Sequence, residues 1–223
     1  YQKVLNLANK EQRGYITPQE FNLFADQAQK NIFEQYFYDL NQFLRVTGNS
    51  EEYSDIISNL REKIVIFERL GTIVGSVITT QPGDIFYRLG TIRTGGGIKI
   101  EEIQFNEDVY ARNGPLTSAT SQRPTFMRVG ENDMVFDPPN SALGARCTYT
   151  RMPTRPEWGY FVVGDKALYD PNPAKTTDFE LHPSDESELV YKILKLAGVS
   201  MKRDDIMRAG QGLETAQVQQ EKQ

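Results

Sequence analysis

The sequence predicts an α+β chain, helical at both ends and strand-rich between them. Two observations carry this. Residues 1–61 hold two glycines and one proline, 62–182 hold twelve and nine, and 183–223 return to three and one; these two residue types interrupt helices and populate turns. Apolar residues follow the same division, at helical spacing in the outer parts and in short β-branched and aromatic runs in the middle. The expected organisation is an N-terminal helical segment over 1–61, an antiparallel β-rich region over 62–182, and C-terminal helices with a polar arm over 183–223.

The strongest local signal opens the long helix expected over 18–45. Thr17-Pro18-Gln19-Glu20 is a capping box with proline at the first helical position, so the threonine hydroxyl and the glutamate carboxylate each satisfy an amide of the first turn. Gly48 follows the far end as a left-handed stop. At 1.5 Å per residue the helix is roughly 42 Å long. Its apolar residues, from Phe21 to Leu44, spread over roughly 220° against the ≳100° stripe of a helix lying on one core. Either several elements of its own domain surround it, or its second side meets another subunit. Phe24, Phe33, Tyr36 and Phe37 are the candidates for that subunit contact.

Strands are expected at 63–70, 72–79, 84–94 and 98–104, separated by turns at Gln81-Pro82-Gly83-Asp84 and Gly95-Gly96-Gly97. More follow at 125–129, 134–137, 146–152, 159–163 and 177–181. The intervals 113–124, 137–143, 153–157 and 170–173 are long and proline-rich, as functional or partner-ordered loops are. In the last part, Ser184 and Ser187 are possible caps for a helix with an apolar face from Leu189 to Ala197, ending at Gly198. A short helix over 202–209 and the polar stretch 210–223 complete the chain, the latter a frayed tail or an arm that orders on a partner. Leu213 and Val218 are its candidate contact residues.

Composition removes several kinds of chemistry. One histidine, one cysteine and one tryptophan leave no intrachain disulfide, no thiolate zinc site and no two-histidine metal site. A net charge of −5, without a basic tail, argues against a stand-alone DNA binder. No apolar run approaches the ~20 residues of a membrane span. The chain opens on Tyr1 with no charged-then-apolar leader, so an intracellular site of synthesis is expected.

The remaining motifs read more plainly as structure. Asn9 to Phe21 has the glycine, isoleucine and glutamate spacing of a calcium loop, but Asn9 stands first and Arg13 stands where a ligand should be. Gly90 to Lys99 lacks the ending and the strand–loop–helix context of a phosphate loop and reads as a hairpin. His182 has no nucleophile or orienting partner at motif spacing, so a structural role is expected. Cys147 reads as a small buried hydrophobe. Arg151, Arg155, Trp158 and Tyr160 interleave cations with aromatics, a mixture that serves single-stranded nucleic acid but equally marks a core or a protein interface.

Three stretches together carry a resemblance: Leu5 to Pro18 continuing through Phe43; Pro115-Leu116-Thr117 with Arg123-Pro124; and Trp158-Gly159-Tyr160 through Thr177–His182 to Glu188–Leu194. Over almost the whole chain these resemble virion structural proteins of tailed bacteriophages, in particular a neck or ring protein of the crAss-like phages. The resemblance implies a non-enzymatic ring protein without cofactors, assembled in the bacterial host cytoplasm into the portal-to-tail connector of the virion. Such rings are commonly twelve-fold homo-oligomers that contact the portal and other ring or tail proteins. DNA passes their channel without specific binding, and no membrane is involved. Neighbours would meet head-to-tail, the heterologous contact of a closed ring. By the same analogy the N- and C-terminal helices would pack as a helical bundle with the antiparallel β-rich middle inserted. The alternative is a virion carbohydrate- or receptor-binding module built on the β-rich region around Trp158 and Tyr160.

Overall fold

The computed structural model describes residues 1–9, 16–45, 51–114, 117–130, 132–164, 166–170, 172, 174–200, 211–212 and 215–216. The chain divides into two compact units: Tyr1–Ile66 with Pro153–Gln223, and Phe67–Met152. In order the elements are α1 (Gln2–Asn9), α2 (Pro18–Arg45), α3 (Glu51–Val65), β1 (Glu68–Val74), β2 (Val77–Thr79), β3 (Phe86–Arg93), β4 (Lys99–Glu102) and α4 (Asp108–Asn113). There follow β5 (Thr125–Arg128), β6 (Met134–Asp137), β7 (Arg146–Arg151), β8 (Tyr160–Val163), β9 (Lys166–Tyr169) and α5 (Glu186–Ser200).

In the first unit α2 starts where its cap dictates. The Thr17 amide and hydroxyl donate to the Glu20 carboxylate at 3.0 and 2.8 Å, and the Glu20 amide donates to the Thr17 hydroxyl at 3.3 Å. The Thr17 hydroxyl, with its amide second, holds the Glu20 carboxyl below its ordinary value. This contribution is therefore present at neutral pH and lost as pH falls through that lowered value. Thr17→Ala is expected to cost about 1 kcal/mol in thermal unfolding at pH 7, and less in acid.

Much of the broad apolar surface of α2 is covered inside its own unit, although Leu23, Tyr38 and Leu44 stay exposed. The helix packs on α5 and on α3, and α1 packs on α5. Phe21, Ala25, Ala28, Ile32, Phe33, Tyr36 and Phe37 are all buried. A third side of α2 meets extended chain rather than helix, through hydrogen bonds to Thr154, Trp158 and Glu180. Helices over 51–65 and 108–113 were not anticipated individually. In α3 the β-branched run Ile64-Val65-Ile66 imitates a strand, but Ile56, Leu60 and Ile64 recur every fourth residue and keep the chain helical through Val65.

The second unit is a seven-stranded sheet in the order β2-β1-β7-β3-β4-β5-β6. It curls until its edges meet: the Ile78 amide donates to the Asn132 carbonyl at 3.0 Å and the Met134 amide to the Ser76 carbonyl at 2.8 Å. The result is a nearly closed barrel, which leaves little unpaired edge. Alternation does the filling: Ile73, Ile78, Ile92, Ile100, Phe126, Met134, Phe136 and Cys147 point inward and form one buried cluster. Burial pushes the Cys147 thiol up. Gly71 is required beside it, since a Cβ there would stand 3.0 Å from the Cys147 sulfur and 3.1 Å from the Thr79 carbonyl.

This architecture overturns the expected helical bundle with an inserted antiparallel β-rich middle. The strand-rich part is a barrel containing a parallel pair, β4 with β5, and parallel neighbours need a long crossover. Residues 103–124, including α4, supply it, which accounts for the length of the 113–124 interval. The helical unit is not a bundle either, because extended chain and the two-stranded β8–β9 sheet belong to it. The expected strand 72–79 is split by a turn at Gly75, with φ of 66°. Thr177–Leu181 forms no strand and contributes one bridge, Thr177 to Glu157. The helix expected over 202–209 lies outside the described residues. Among the described residues no helix is long and apolar enough to cross a membrane.

Candidate functional site

Two polar side chains, seven residues apart and so two turns apart on one face of α2, hold the returning chain. Asn22 pairs with the Trp158 backbone in both directions: its amide donates to the Trp158 carbonyl at 3.3 Å and its oxygen accepts from the Trp158 amide at 2.9 Å. Gln29, with no exposed surface, donates to the Thr154 carbonyl at 2.8 Å and accepts from the Glu180 amide at 3.1 Å. Glu180 in turn accepts from the Thr154 amide and hydroxyl at 2.7 and 3.1 Å. The two strips 154–158 and 177–180 are thereby fixed on α2 and bridged to each other by reciprocal hydrogen bonds of Glu157 and Thr177 at 3.0 and 2.8 Å.

This clamp presents Trp158 to other rings. Its ring centroid lies 4.1 Å from that of Tyr1, 5.8 Å from Tyr160 and 6.2 Å from Tyr169. A cavity of about 170 Å³ beside the cluster is lined by Tyr1, Asn22, Pro156, Trp158, Tyr169 and Phe179. Gly159 lets the chain turn away, for a Cβ there would fall 2.7 Å from the Lys175 carbonyl oxygen. The chain then enters the β8–β9 hairpin, paired from Tyr160–Tyr169 to Val163–Lys166. Its large side chains are out in solvent: Phe161, Val162, Val163, Leu168 and Tyr169 are each between 45 % and 63 % exposed. Neither outer edge of this two-stranded sheet takes a further strand among the described residues.

A second polar cluster joins α2, α3 and the short turn Pro183–Asp185. Asp185 is fully buried and accepts from the Tyr36 hydroxyl, from Lys63 Nζ at 2.7 Å and from Ser184 Oγ at 3.2 Å. His182 Nδ1 lies 2.8 Å from Ser184 Oγ and accepts from the Ser184 amide at 3.3 Å. Histidine, serine and aspartate thus stand together beside a cleft of about 350 Å³ lined by Asp39, Phe43, Leu60, Lys63, His182 and Ser184. Their order is not that of a nucleophilic triad, in which the carboxylate orients the imidazole. Here Asp185 is engaged by Lys63 and Tyr36, and the imidazole caps the turn.

The expected contact residues do not converge on one surface. Phe33, Tyr36 and Phe37 are buried in the chain's own fold, Phe33 and Phe37 edge to face at 5.1 Å, so the subunit contact expected for them is replaced by internal packing. A charge placed at Phe33 tests folding before it tests assembly. Phe24 is half-buried. Arg151 belongs to the barrel unit and is buried there, 3.7 Å from Asp84, which also accepts from the Tyr149 hydroxyl at 2.6 Å. Arg155 is exposed, and Trp158 and Tyr160 are half-buried. Leu213 and Val218 lie outside the described residues, as do residues 10–15 of the calcium-like loop. Its twelfth position, Glu20, is taken by the cap.

Asn22 and Gln29 escaped the sequence reading, which followed apolar residues. A signal existed for both: at about 100° per residue they fall inside the buried arc of α2, between Tyr36 and Phe33. The chain matches no protein-family model and no curated protein.

Proposed function

We propose that the chain is a non-enzymatic structural component of a phage virion, forming a homo-oligomeric ring in the portal-to-tail connector that leaves a channel for the genome. The observation that carries this reading is the β8–β9 hairpin. A two-stranded sheet is marginal in water by itself, and one with open edges and four exposed large apolar side chains, Phe161, Val162, Val163 and Leu168, is a surface made for a neighbour. In a ring the neighbour is the next copy, met head-to-tail. The sequence resemblance to neck proteins points the same way. The glycan-binding alternative rests on Trp158 and Tyr160, whose rings are engaged with each other and with Tyr1 and Tyr169.

Electron microscopy and light scattering of the purified chain, alone and with portal protein, test the proposal. Closed rings are expected. Phe161→Asp with Leu168→Asp should abolish them while leaving a monomer with unchanged circular dichroism and thermal midpoint. A chain that remains monomeric under both conditions, or rings indifferent to the double substitution, would overturn the hairpin contact as the basis of assembly.

A further inference from the structure

The end of the barrel that carries the 94–98 turn presents a row of cations. Cross-strand register sets Lys99 of β4 opposite Arg93 of β3, and Arg93 opposite Arg146 of β7. All three are exposed, while their neighbours Ile100, Ile92 and Cys147 point into the barrel. At ~4.8 Å between strands, three positive charges fall within about 10 Å. The same row continues onto β1 and β2 as Thr72 and Thr79, two further exposed donors. No ion pair joins Arg93, Lys99 or Arg146 to a carboxylate among the described residues. Glu101, two positions along β4, faces Arg123 at 3.8 Å instead.

Like charges set directly opposite one another cost a sheet stability, so the row contributes nothing to the barrel. It suits an anion with closely repeated charge. Between Arg93 and Lys99 the chain turns through Gly95-Gly96-Gly97, with Gly97 at φ of 88°. The turn is pinned by the Thr94 amide on the Ile98 carbonyl at 2.8 Å and the Ile98 amide on the Thr94 hydroxyl at 3.1 Å. The amides of Gly95 and Gly96 have no acceptor among the described residues. The space is open at Gly96 and Gly97, where a Cβ would meet only the Thr94 hydroxyl at 3.8 Å and nothing within 4 Å respectively, whereas Gly95 lies against the chain, a Cβ there standing 3.3 Å from the Leu143 and Gly144 carbonyl oxygens. Backbone amides and cationic side chains together are the donors that phosphate oxygens take. The net charge of −5 does not oppose this locally, because residues 67–152 hold nine basic and nine acidic residues and the acidic excess lies in the other unit.

We propose that this basic end of the barrel contacts the phosphate backbone of duplex DNA without reading its sequence. The choice of duplex DNA among polyanions rests on the ring reading, since DNA is what such a channel carries. An acidic protein fits less well, because the row itself carries no aromatic or apolar side chain, and exposed Leu143 beside the turn does not by itself make the core of a protein interface. Three phosphate contacts give an affinity that falls with salt at a log–log slope of about −2.7, roughly forty-fold between about 50 and 200 mM. Such a contact guides a moving duplex and releases it.

Fluorescence anisotropy of a labelled mixed-sequence duplex, titrated with the full chain over a salt series, tests this. Binding with that slope is expected. The triple variant Arg93→Gln, Lys99→Gln, Arg146→Gln should lose at least tenfold at low salt with unchanged circular dichroism, and Arg155→Gln in the other unit should lose nothing. A folded triple variant that binds as well as the parent chain overturns the contact. So does retention of polyglutamate without retention of duplex, which would assign the row to an acidic protein. The two proposals fail separately: rings whose duplex binding ignores the triple variant lose the DNA contact and keep the ring, whereas a monomer whose binding depends on the three cations loses the ring and keeps the contact.

Discussion

Asp185→Ala is expected to destabilise the helical unit by about 3–5 kcal/mol, the cost of removing one member of a buried ion pair and stranding the other. The Asp185 side chain is wholly buried and that of Lys63 is only 18 % exposed. The Tyr36 hydroxyl, on the buried face of α2, loses its hydrogen bond to Asp185 in the same step. Denaturant unfolding followed by far-ultraviolet circular dichroism measures the loss. Adding Lys63→Met to Asp185→Ala should recover part of it, because no ammonium is then left facing the vacated site. A double variant as unstable as the sum of its singles would show that the two side chains do not act as a pair.

Gln29→Leu is the second large effect, about 1–3 kcal/mol. The leucine fills similar space but removes the partner that Gln29 gives to the Thr154 carbonyl and the Glu180 amide, two part-buried hydrogen bonds worth roughly 0.5–1.5 kcal/mol each. The consequence should be local first. Residues 153–180 hang on α2 by Asn22 and Gln29, and the only tryptophan of the chain, Trp158, is the residue whose backbone Asn22 holds. In the variant, Trp158 fluorescence should change at lower denaturant than the helical signal, whereas the two transitions coincide in the parent protein. Coincident transitions in Gln29→Leu would show that Gln29 does not fasten this strip.

What could be read from the sequence was what local chemistry decides. The start of α2 was legible because a capping box closes within four residues. Most strands were legible because period-two alternation survives any arrangement of partners. Barrel closure was not, since Ile78 meets Asn132 across more than fifty residues and no composition records which edges will join. The apolar excess of α2 was legible as an amount but not as a destination: a phenylalanine covered by α3 or α5 has the same letter as one covered by another subunit. The fastening of residues 153–180 was missed for a related reason. Asn22 and Gln29 look like ordinary polar interruptions until the chain that returns to them is in place.

The insertion of the barrel also sets a timetable. Along the growing chain α2 is complete at Arg45, but the strip and the helix that cover much of it begin only at Pro153. At ~5–20 residues per second the ribosome needs roughly 5–20 s to make the stretch between. The barrel is synthesised within that interval, its first and last strands drawn together where the Arg151 amide reaches the Phe67 carbonyl at 3.0 Å. Nascent chains carrying residues 1–152 on a linker long enough to clear the ribosome should therefore hold a protease-resistant barrel behind an α2 that proteases still cut, which makes α2 the segment that waits longest for its cover during translation.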